Sequence, residues 1–280
     1  MLKRIALIAA VAILGVTGTA VADPIVLPAD TPIYIKFDNL EQISTAGGLG
    51  GDIDVPGTYG LADNWGVFSV QTIDLGTLVG FTPHVDLGAS GSPAEFFNGT
   101  QGSIYGIFYD IILTGATTAT GGKIDLYWSN TVGAVDLTTA TPTLGTVTSF
   151  TTGTFLARLD FASGIIPGGG DCTTTISSSV NPTLGTSGFA DSFANVDLSA
   201  GGAWATALDG DWFFTDCGTR DVRFSNFFNF TADHWDGTDI LGIRSNDPAR
   251  VFTSPIPEPA TLTLLGLGLA GLGYRRRRRA

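Results

Sequence analysis

Residues 104–113 read Ile-Tyr-Gly-Ile-Phe-Tyr-Asp-Ile-Ile-Leu, and this run is a strong strand signal. Its β-branched and aromatic side chains suit the pleated surface of a sheet. Similar short runs recur on both sides of it, separated by turns rich in glycine, asparagine and aspartate. They are residues 33–37, 67–75, 124–128, 155–161, 173–180, 189–198, 212–215 and 222–230. This pattern predicts an all-β body, folded as an antiparallel β-sandwich or jelly roll.

The body that these strands form is predicted to run from residue 23 to residue 254. An all-β domain often has roughly 200–250 residues, so this length favours one domain. A helical period is hard to find in it, and only residues 40–45 are compatible with a helical turn.

The N-terminal segment 1–22 has the three parts of a secretory signal peptide. Lys3 and Arg4 supply the positive start, and residues 5–16 form the apolar part. The small residues Ala20 and Ala22 predict cleavage after Ala22, before Asp23. A short membrane anchor is the alternative, but the apolar run is short for that and a cleavage site follows it.

The charge balance separates the body from the two ends. The chain has 14 basic and 26 acidic residues, and seven of the basic residues lie at residues 3–4 and 275–279. Between residues 23 and 259 there are therefore seven basic and all 26 acidic residues, which gives this segment a net charge of −19. Such a field repels nucleic acid and anionic membranes, and it suits a soluble exported protein.

The two cysteines of the chain, Cys172 and Cys217, are predicted to form one disulfide bond. This is the simplest pairing in an exported protein. Free or metal-bound thiols are the alternative, although two thiols without a nearby histidine make a poor metal site.

The C-terminal segment 255–280 has a different character from the body. Pro257, Glu258 and Pro259 form a stiff, non-helical spacer because proline fixes φ and removes a backbone donor. The uncharged run 260–274 follows, and as a helix it would be about 20 Å long, short of the roughly 30 Å hydrocarbon core. Snorkelling arginines, local bilayer thinning and Tyr274 at the headgroup level can make up the missing length.

We therefore predict a membrane helix over residues 260–274 and a cytoplasmic arginine cluster over 275–279. A glycine-rich buried element with a basic end is the alternative. The residues assigned to the anchor are Leu264, Leu265, Leu267, Leu269, Arg275, Arg276, Arg277, Arg278 and Arg279.

This conjunction of Pro-Glu-Pro, a Leu/Gly-rich run and terminal arginines resembles the PEP-CTERM protein-sorting domain of Gram-negative bacteria. The resemblance covers about the last 25 residues. It implies recognition by an exosortase, a membrane enzyme that cleaves at or near Pro257-Glu258-Pro259. It also implies transient anchoring in the inner membrane, release to the cell surface or outside, and an association with exopolysaccharide or biofilm.

Within the body, few residues point to chemistry. His84 and His234 lie far apart, and we predict no catalytic residue, cofactor or metal site. Aspartates cluster at residues 52/54, 209/211/216 and 233/236/239, where turn formation and Ca²⁺ binding are the competing interpretations. Trp235, with His234 and Asp236 beside it, is the candidate ligand site, since an exposed tryptophan can stack on a sugar ring.

The sequence thus predicts a non-enzymatic, exported envelope or matrix protein. A carbohydrate-binding module, with or without Ca²⁺, is the alternative function. A hydrolase of extracellular polymer is a third class, which would require a pair of carboxylates in a cleft.

Overall fold

The computed structural model describes residues 24–44, 51–77, 87, 94–168, 170–179, 187–230 and 243–254. They form fourteen strands and two short helices. In chain order these are β1 Pro32–Ile43, β2 Ile53–Val55, β3 Gly60–Ala62, β4 Asn64–Leu75, β5 Ala94–Phe97, β6 Ser103–Leu113, β7 Thr118–Ser129, α1 Leu144–Phe150, β8 Thr154–Ala162, β9 Ile176–Ser178, β10 Ser187–Val196, α2 Ala205–Leu208, β11 Phe213–Thr215, β12 Gly218–Arg220, β13 Val222–Phe230 and β14 Ile243–Phe252.

The main sheet is antiparallel and closes on itself. Its order is β1-β14-β13-β10-β8-β7-β6-β4, and β4 also pairs with β1 along eleven positions from Ile33↔Leu75 to Ile43↔Asn64. The predicted all-β, antiparallel class is confirmed, but the described strands form one barrel-like closed sheet instead of two packed sheets. Period-2 alternation is the same in both architectures, because either one buries a single face of each strand. The pattern therefore could not reveal the β1–β4 pairing.

Two short strands complete the edges of the closed sheet. β5 pairs with β4 at residues 73–75, beyond the point where β6 ends its pairing with β4. β9 bridges β7 and β10 in the same way, beyond the end of β8. These additions satisfy backbone groups that would otherwise form an open edge.

The inward face of β1 shows how the sequence sets the interior. Ile33, Ile35 and Phe37 pack in the core that fills the sheet. Asn39 and Glu41 continue the same alternation and line the same interior space. The helical turn expected near residues 40–45 is wrong, because β1 continues as a strand to Ile43 and keeps its pairing with β4.

The outer face of the sheet is covered on one side by a second apolar cluster. Val147 and Phe150 of α1 pack there with Trp65 of β4 and Val55 of β2, all of them buried. α1 begins after Thr143, whose side-chain oxygen accepts a hydrogen bond from the Thr146 N–H. That cap fixes the start of the helix over the sheet.

A disulfide bond joins Cys172 to Cys217, with an S–S distance of 1.98 Å and Cα atoms 5.5 Å apart. It links the segment before β9 to the turn between β11 and β12. No helix in the described ranges is both long enough and apolar enough to cross a membrane.

Candidate functional site

The interior of the closed sheet contains a cavity of about 150 Å³. Apolar side chains from β1, β4, β6, β7, β8, β13 and β14 supply most of its wall, including Val70, Leu126 and Val251. An eight-stranded closed sheet has an interior wide enough for side chains or for one small ligand. The cavity is therefore the candidate site among the residues that the structure describes.

One end of this interior is closed by packing. Leu208 of α2 lies against the cavity, and the neighbouring Trp204 is buried in the same core. The Trp204 indole Nε1–H donates to the Ile25 carbonyl at 2.5 Å, which holds the N-terminal segment over this end. A buried indole needs such a partner for its N–H group.

The opposite end of the interior is polar, and we call it the polar mouth: Asn39, Glu41, Asn64, Thr117, Thr118, Ser178 and Asn226, together with the exposed Ala116. Antiparallel registers bring these residues together, because they lie near the end of β1, the start of β4, the start of β7 and the second half of β13. The partial exposure of Glu41, Thr117 and Thr118 gives the cavity contact with solvent here.

Glu41 is the ionisable residue that lines the cavity. The Asn64 side-chain amide donates to Oε2 at 3.1 Å, and the Asn39 amide donates to Oε1. Burial raises the pKa of the Glu41 carboxyl from 4.5 to about 7, while the hydrogen bonds from Asn64 and Asn39 act in the opposite direction. The described lining of the cavity therefore supplies two amide donors to the Glu41 carboxyl group and no cation.

Two further oxygen atoms in the polar mouth have no hydrogen-bond partner. Asn64 is 8% exposed and its Oδ1 is buried without a donor, because its amide nitrogen is directed at Glu41. The Oδ1 of Asn226, on β13, is likewise buried and unsatisfied. A buried acceptor without a donor is unfavourable by about 1–3 kcal/mol, so these atoms favour a donor-bearing guest or a bound water.

Below the polar mouth, phenylalanine rings line the cavity. The ring centroids of Phe37 and Phe68 are 5.8 Å apart, and those of Phe161 and Phe224 are 5.6 Å apart. Phe37 also meets Phe224 edge-on, at 6.4 Å. We call these four residues the aromatic belt.

Two reciprocal glycine–phenylalanine pairs shape this part of the wall. Gly66 of β4 lies opposite Phe108 of β6, and Phe68 of β4 lies opposite Gly106 of β6. A Cβ atom at Gly66 would lie 2.4 Å from the Phe108 ring, and one at Gly106 would lie 2.7 Å from the Phe68 ring. Each ring therefore lies over the glycine of the other strand and occupies the space that a side chain there would fill.

A second polar cluster lies on the outer face. Arg158 Nε and Nη2 donate to the two carboxylate oxygens of Asp125, at 2.6 and 2.7 Å, and Asp125 is 1% exposed. The Tyr109 hydroxyl contacts the same carboxylate at 3.4 Å, and the Tyr59 ring packs on Tyr109 with centroids 4.5 Å apart. Burial raises the pKa of Tyr109, and the hydrogen bonds to Asp125 raise the pKa of Arg158. This closed arrangement is structural.

Several residues assigned from sequence lie outside the described residues. These are the signal-cleavage residues Ala20 and Ala22, the candidate ligand residues His234, Trp235 and Asp236, His84, the sorting residues Pro257, Glu258 and Pro259, and the whole anchor at 260–279. They remain predictions.

No group of three or more His, Cys, Asp or Glu side chains in the described ranges could hold a metal ion. Two aspartates of the 209/211/216 cluster accept hydrogen bonds from other segments of the chain. Asp211 accepts from the Thr219 hydroxyl at 2.6 Å, and Asp216 accepts from the Gly168 N–H at 3.1 Å. Among the described residues of the cavity wall, Glu41 is the single carboxylate, whereas a glycosidase of the usual kind needs two.

The sequence interpretation did not identify Glu41, Asn39 or Asn64 as site residues. A signal was present, because residues 33, 35, 37, 39, 41 and 43 alternate as one face of a strand and two of them are polar. Polar residues on an otherwise inward apolar face indicate either a functional interior or a wrong assignment. The interpretation of residues 40–45 as a helical turn concealed that alternation.

The described body is a closed antiparallel sheet with an interior cavity, and its last described residue, Ser254, leads into the C-terminal segment. Residues 255–279 match the family model of the PEP-CTERM protein-sorting motif. The resemblance is thereby confirmed: the C-terminal tail carries the PEP-CTERM protein-sorting motif. The motif implies an exosortase substrate that is exported and processed at a membrane.

Searches of curated proteins and of solved structures found no match for this chain. The family match covers the tail alone, so the role of the body has to be argued from its own residues.

Proposed function

We propose that the protein is a non-enzymatic envelope or matrix component that an exosortase transfers to the cell surface or outside. Its C-terminal tail anchors it transiently in the inner membrane before transfer, and its destination is linked to exopolysaccharide or biofilm. The observation that carries this proposal is the PEP-CTERM match at residues 255–279. The net charge of −19 between residues 23 and 259 supports it, since an acidic body is soluble and is repelled by anionic membranes.

The sorting step can be tested by changing the motif alone. In cells that contain an exosortase, the double variant Pro257→Ala/Pro259→Ala should keep its tail and accumulate in the inner membrane. The unchanged chain should lose the tail and leave that membrane. Cell fractionation and mass spectrometry of the C-terminus measure both results.

Pro255→Ala is the matched control, because it removes a proline just outside the Pro-Glu-Pro motif. It should be processed like the unchanged chain. Normal processing of the double variant, or a mature protein that retains residues 260–279, would contradict the proposal.

A second candidate function, carbohydrate binding, is favoured by an aromatic pair on the outer face. Phe189 of β10 and Phe227 of β13 lie directly opposite each other, 55% and 37% exposed, with ring centroids 5.2 Å apart. Exposed adjacent rings offer an apolar surface on which a sugar ring can stack. This pair differs from the Trp235 site that the sequence predicted.

A pull-down on exopolysaccharide from the producing strain tests this function. Phe189→Ala/Phe227→Ala should lose most of the bound fraction, whereas Phe214→Ala, which removes another exposed ring from β11, should retain it. Repeating the assay with a chelator shows whether Ca²⁺ contributes. Equal retention of the double variant would exclude this surface as the carbohydrate site.

A further inference from the structure

We propose that the interior cavity binds a small apolar molecule that carries a primary ammonium group. The ammonium group lies in the polar mouth beside Glu41 and Asn64, and the apolar body lies within the aromatic belt. This site is independent of the sorting tail and of the outer aromatic pair.

The size of the cavity defines the size of the ligand. Its volume is about 150 Å³, and an engineered apolar cavity of about this volume holds benzene. The Gly66–Phe108 and Phe68–Gly106 pairs keep this space open, because each ring lies over a residue without a side chain. A single six-membered ring with a short substituent therefore fits the site.

The polar mouth offers acceptors to a ligand. Among the described residues, no donor reaches the buried Oδ1 atoms of Asn64 and Asn226, and the donors to the Glu41 carboxylate are the amides of Asn39 and Asn64. An ammonium group carries three donors and no acceptor, so it complements all three groups. A carboxylate ligand would meet oxygen atoms and the charge of Glu41.

The charge distribution of the cavity selects a cation. The lining residues that the structure describes include one carboxylate and no lysine, arginine or histidine. The ring faces of the aromatic belt carry partial negative charge and attract cations as well. The acidic body also raises the local concentration of cations around the polar mouth. Each of these effects acts in the same direction.

Isothermal titration calorimetry with benzylamine tests the proposal. The full chain is used in nanodiscs of zwitterionic lipid, and the heat from protein-free nanodiscs is subtracted. We expect one site with a dissociation constant of about 1 mM or tighter, a range that eight non-hydrogen atoms readily reach. Benzoate, which has the same ring and the opposite charge, should show no binding.

Glu41→Gln is the decisive variant, because it keeps the shape of the side chain and one acceptor oxygen, while it replaces the other oxygen by an NH₂ donor and removes the charge. Benzylamine binding should weaken at least tenfold. Glu95→Gln removes a matched charge from exposed β5 and should change the dissociation constant less than twofold. The melting temperature of each variant reports that it is folded.

Three results would overturn the proposal. They are the absence of benzylamine binding to the folded chain, equal binding by Glu41→Gln, and binding of benzyl alcohol or benzoate as tight as that of benzylamine. The last result would assign the cavity to neutral or anionic apolar molecules.

Discussion

Asp125, which is buried, and Glu41, which is partly exposed, carry carboxyl groups on opposite faces of the same sheet, and their surroundings differ. Asp125, on the outer face, receives two hydrogen bonds from the Arg158 guanidinium and a contact from the Tyr109 hydroxyl. Glu41, on the inner face, receives hydrogen bonds from the amides of Asn39 and Asn64, and from no other described residue. Of the residues that the structure describes, a cation lies beside Asp125 and none is bonded to Glu41.

The difference shows which of the two carboxyl groups has its charge balanced by described residues. A buried ion pair is tolerated when its geometry is good and the remaining lone pairs are satisfied, as they are around Asp125. A buried carboxylate without a cation is unfavourable, and the raised pKa of Glu41 expresses that penalty. The Asp125–Arg158 pair is thus complete within the described residues, whereas the Glu41 carboxylate has amide donors and no described counter-charge.

Removing the cation of the outer pair should have the largest effect. Arg158→Met leaves Asp125 buried without a counter-charge, and we expect a loss of about 3–5 kcal/mol in the free energy of unfolding. Urea denaturation measures it. In Arg158→Met/Asp125→Leu both charges are absent, so most of the loss should be recovered. A loss below about 1 kcal/mol in the single variant would mean that the outer pair is not neutralised as described.

Removing the charge of Glu41 should increase the free energy of unfolding, whereas removing the charge of Arg158 should decrease it. The folded-state pKa of Glu41, about 7, lies above the ordinary 4.5. The stability that protonated Glu41 contributes is therefore fully present below about pH 4.5. It is lost as the pH rises through 7. At pH 8, Glu41→Gln should therefore be more stable than the unchanged chain by about 3 kcal/mol, from 1.36 kcal/mol per unit.

At pH 4 the two proteins should unfold at nearly the same urea concentration, because the carboxyl group is protonated in both states. Comparing the variant with the unchanged chain at each pH removes the contribution of the other acidic residues. A difference that is independent of pH, or a variant less stable at pH 8, would contradict the assignment of Glu41.

The smallest expected change in the free energy of unfolding comes from the packing of Gly66 in β4. In Gly66→Ala the new methyl group would meet the Leu40 carbonyl oxygen and the Phe108 ring, 2.2 and 2.4 Å away. We expect a loss of about 1–3 kcal/mol from this overpacking. Gly145→Ala, near the start of α1, places its methyl group 3.6 Å from the nearest atom and should be neutral or stabilising. Thermal unfolding compares the two, and equal melting temperatures would refute the ring-over-glycine packing.

Much of the strand pattern could be predicted because it is local. The run at residues 104–113 corresponds to β6, and that at 67–75 lies within β4. The predicted run 173–180 shortens to β9 at 176–178, and β5, β14 and α1 were not predicted. β14 contains Pro248, which weakens a strand signal, and its existence depends on its pairing with β1 and β13.

The sequence by itself determined the all-β class, the sorting tail and the presence of exactly two cysteines for a disulfide. Each of these depends on residue type or on short-range spacing, as in Pro257-Glu258-Pro259. Only the tertiary structure decided that β1 pairs with β4, and that the inward face of β1 meets Asn64 and Asn226 across an enclosed space. The physical reason is that sheet closure depends on contacts between residues distant in the chain, and it is closure that places Glu41 at the cavity.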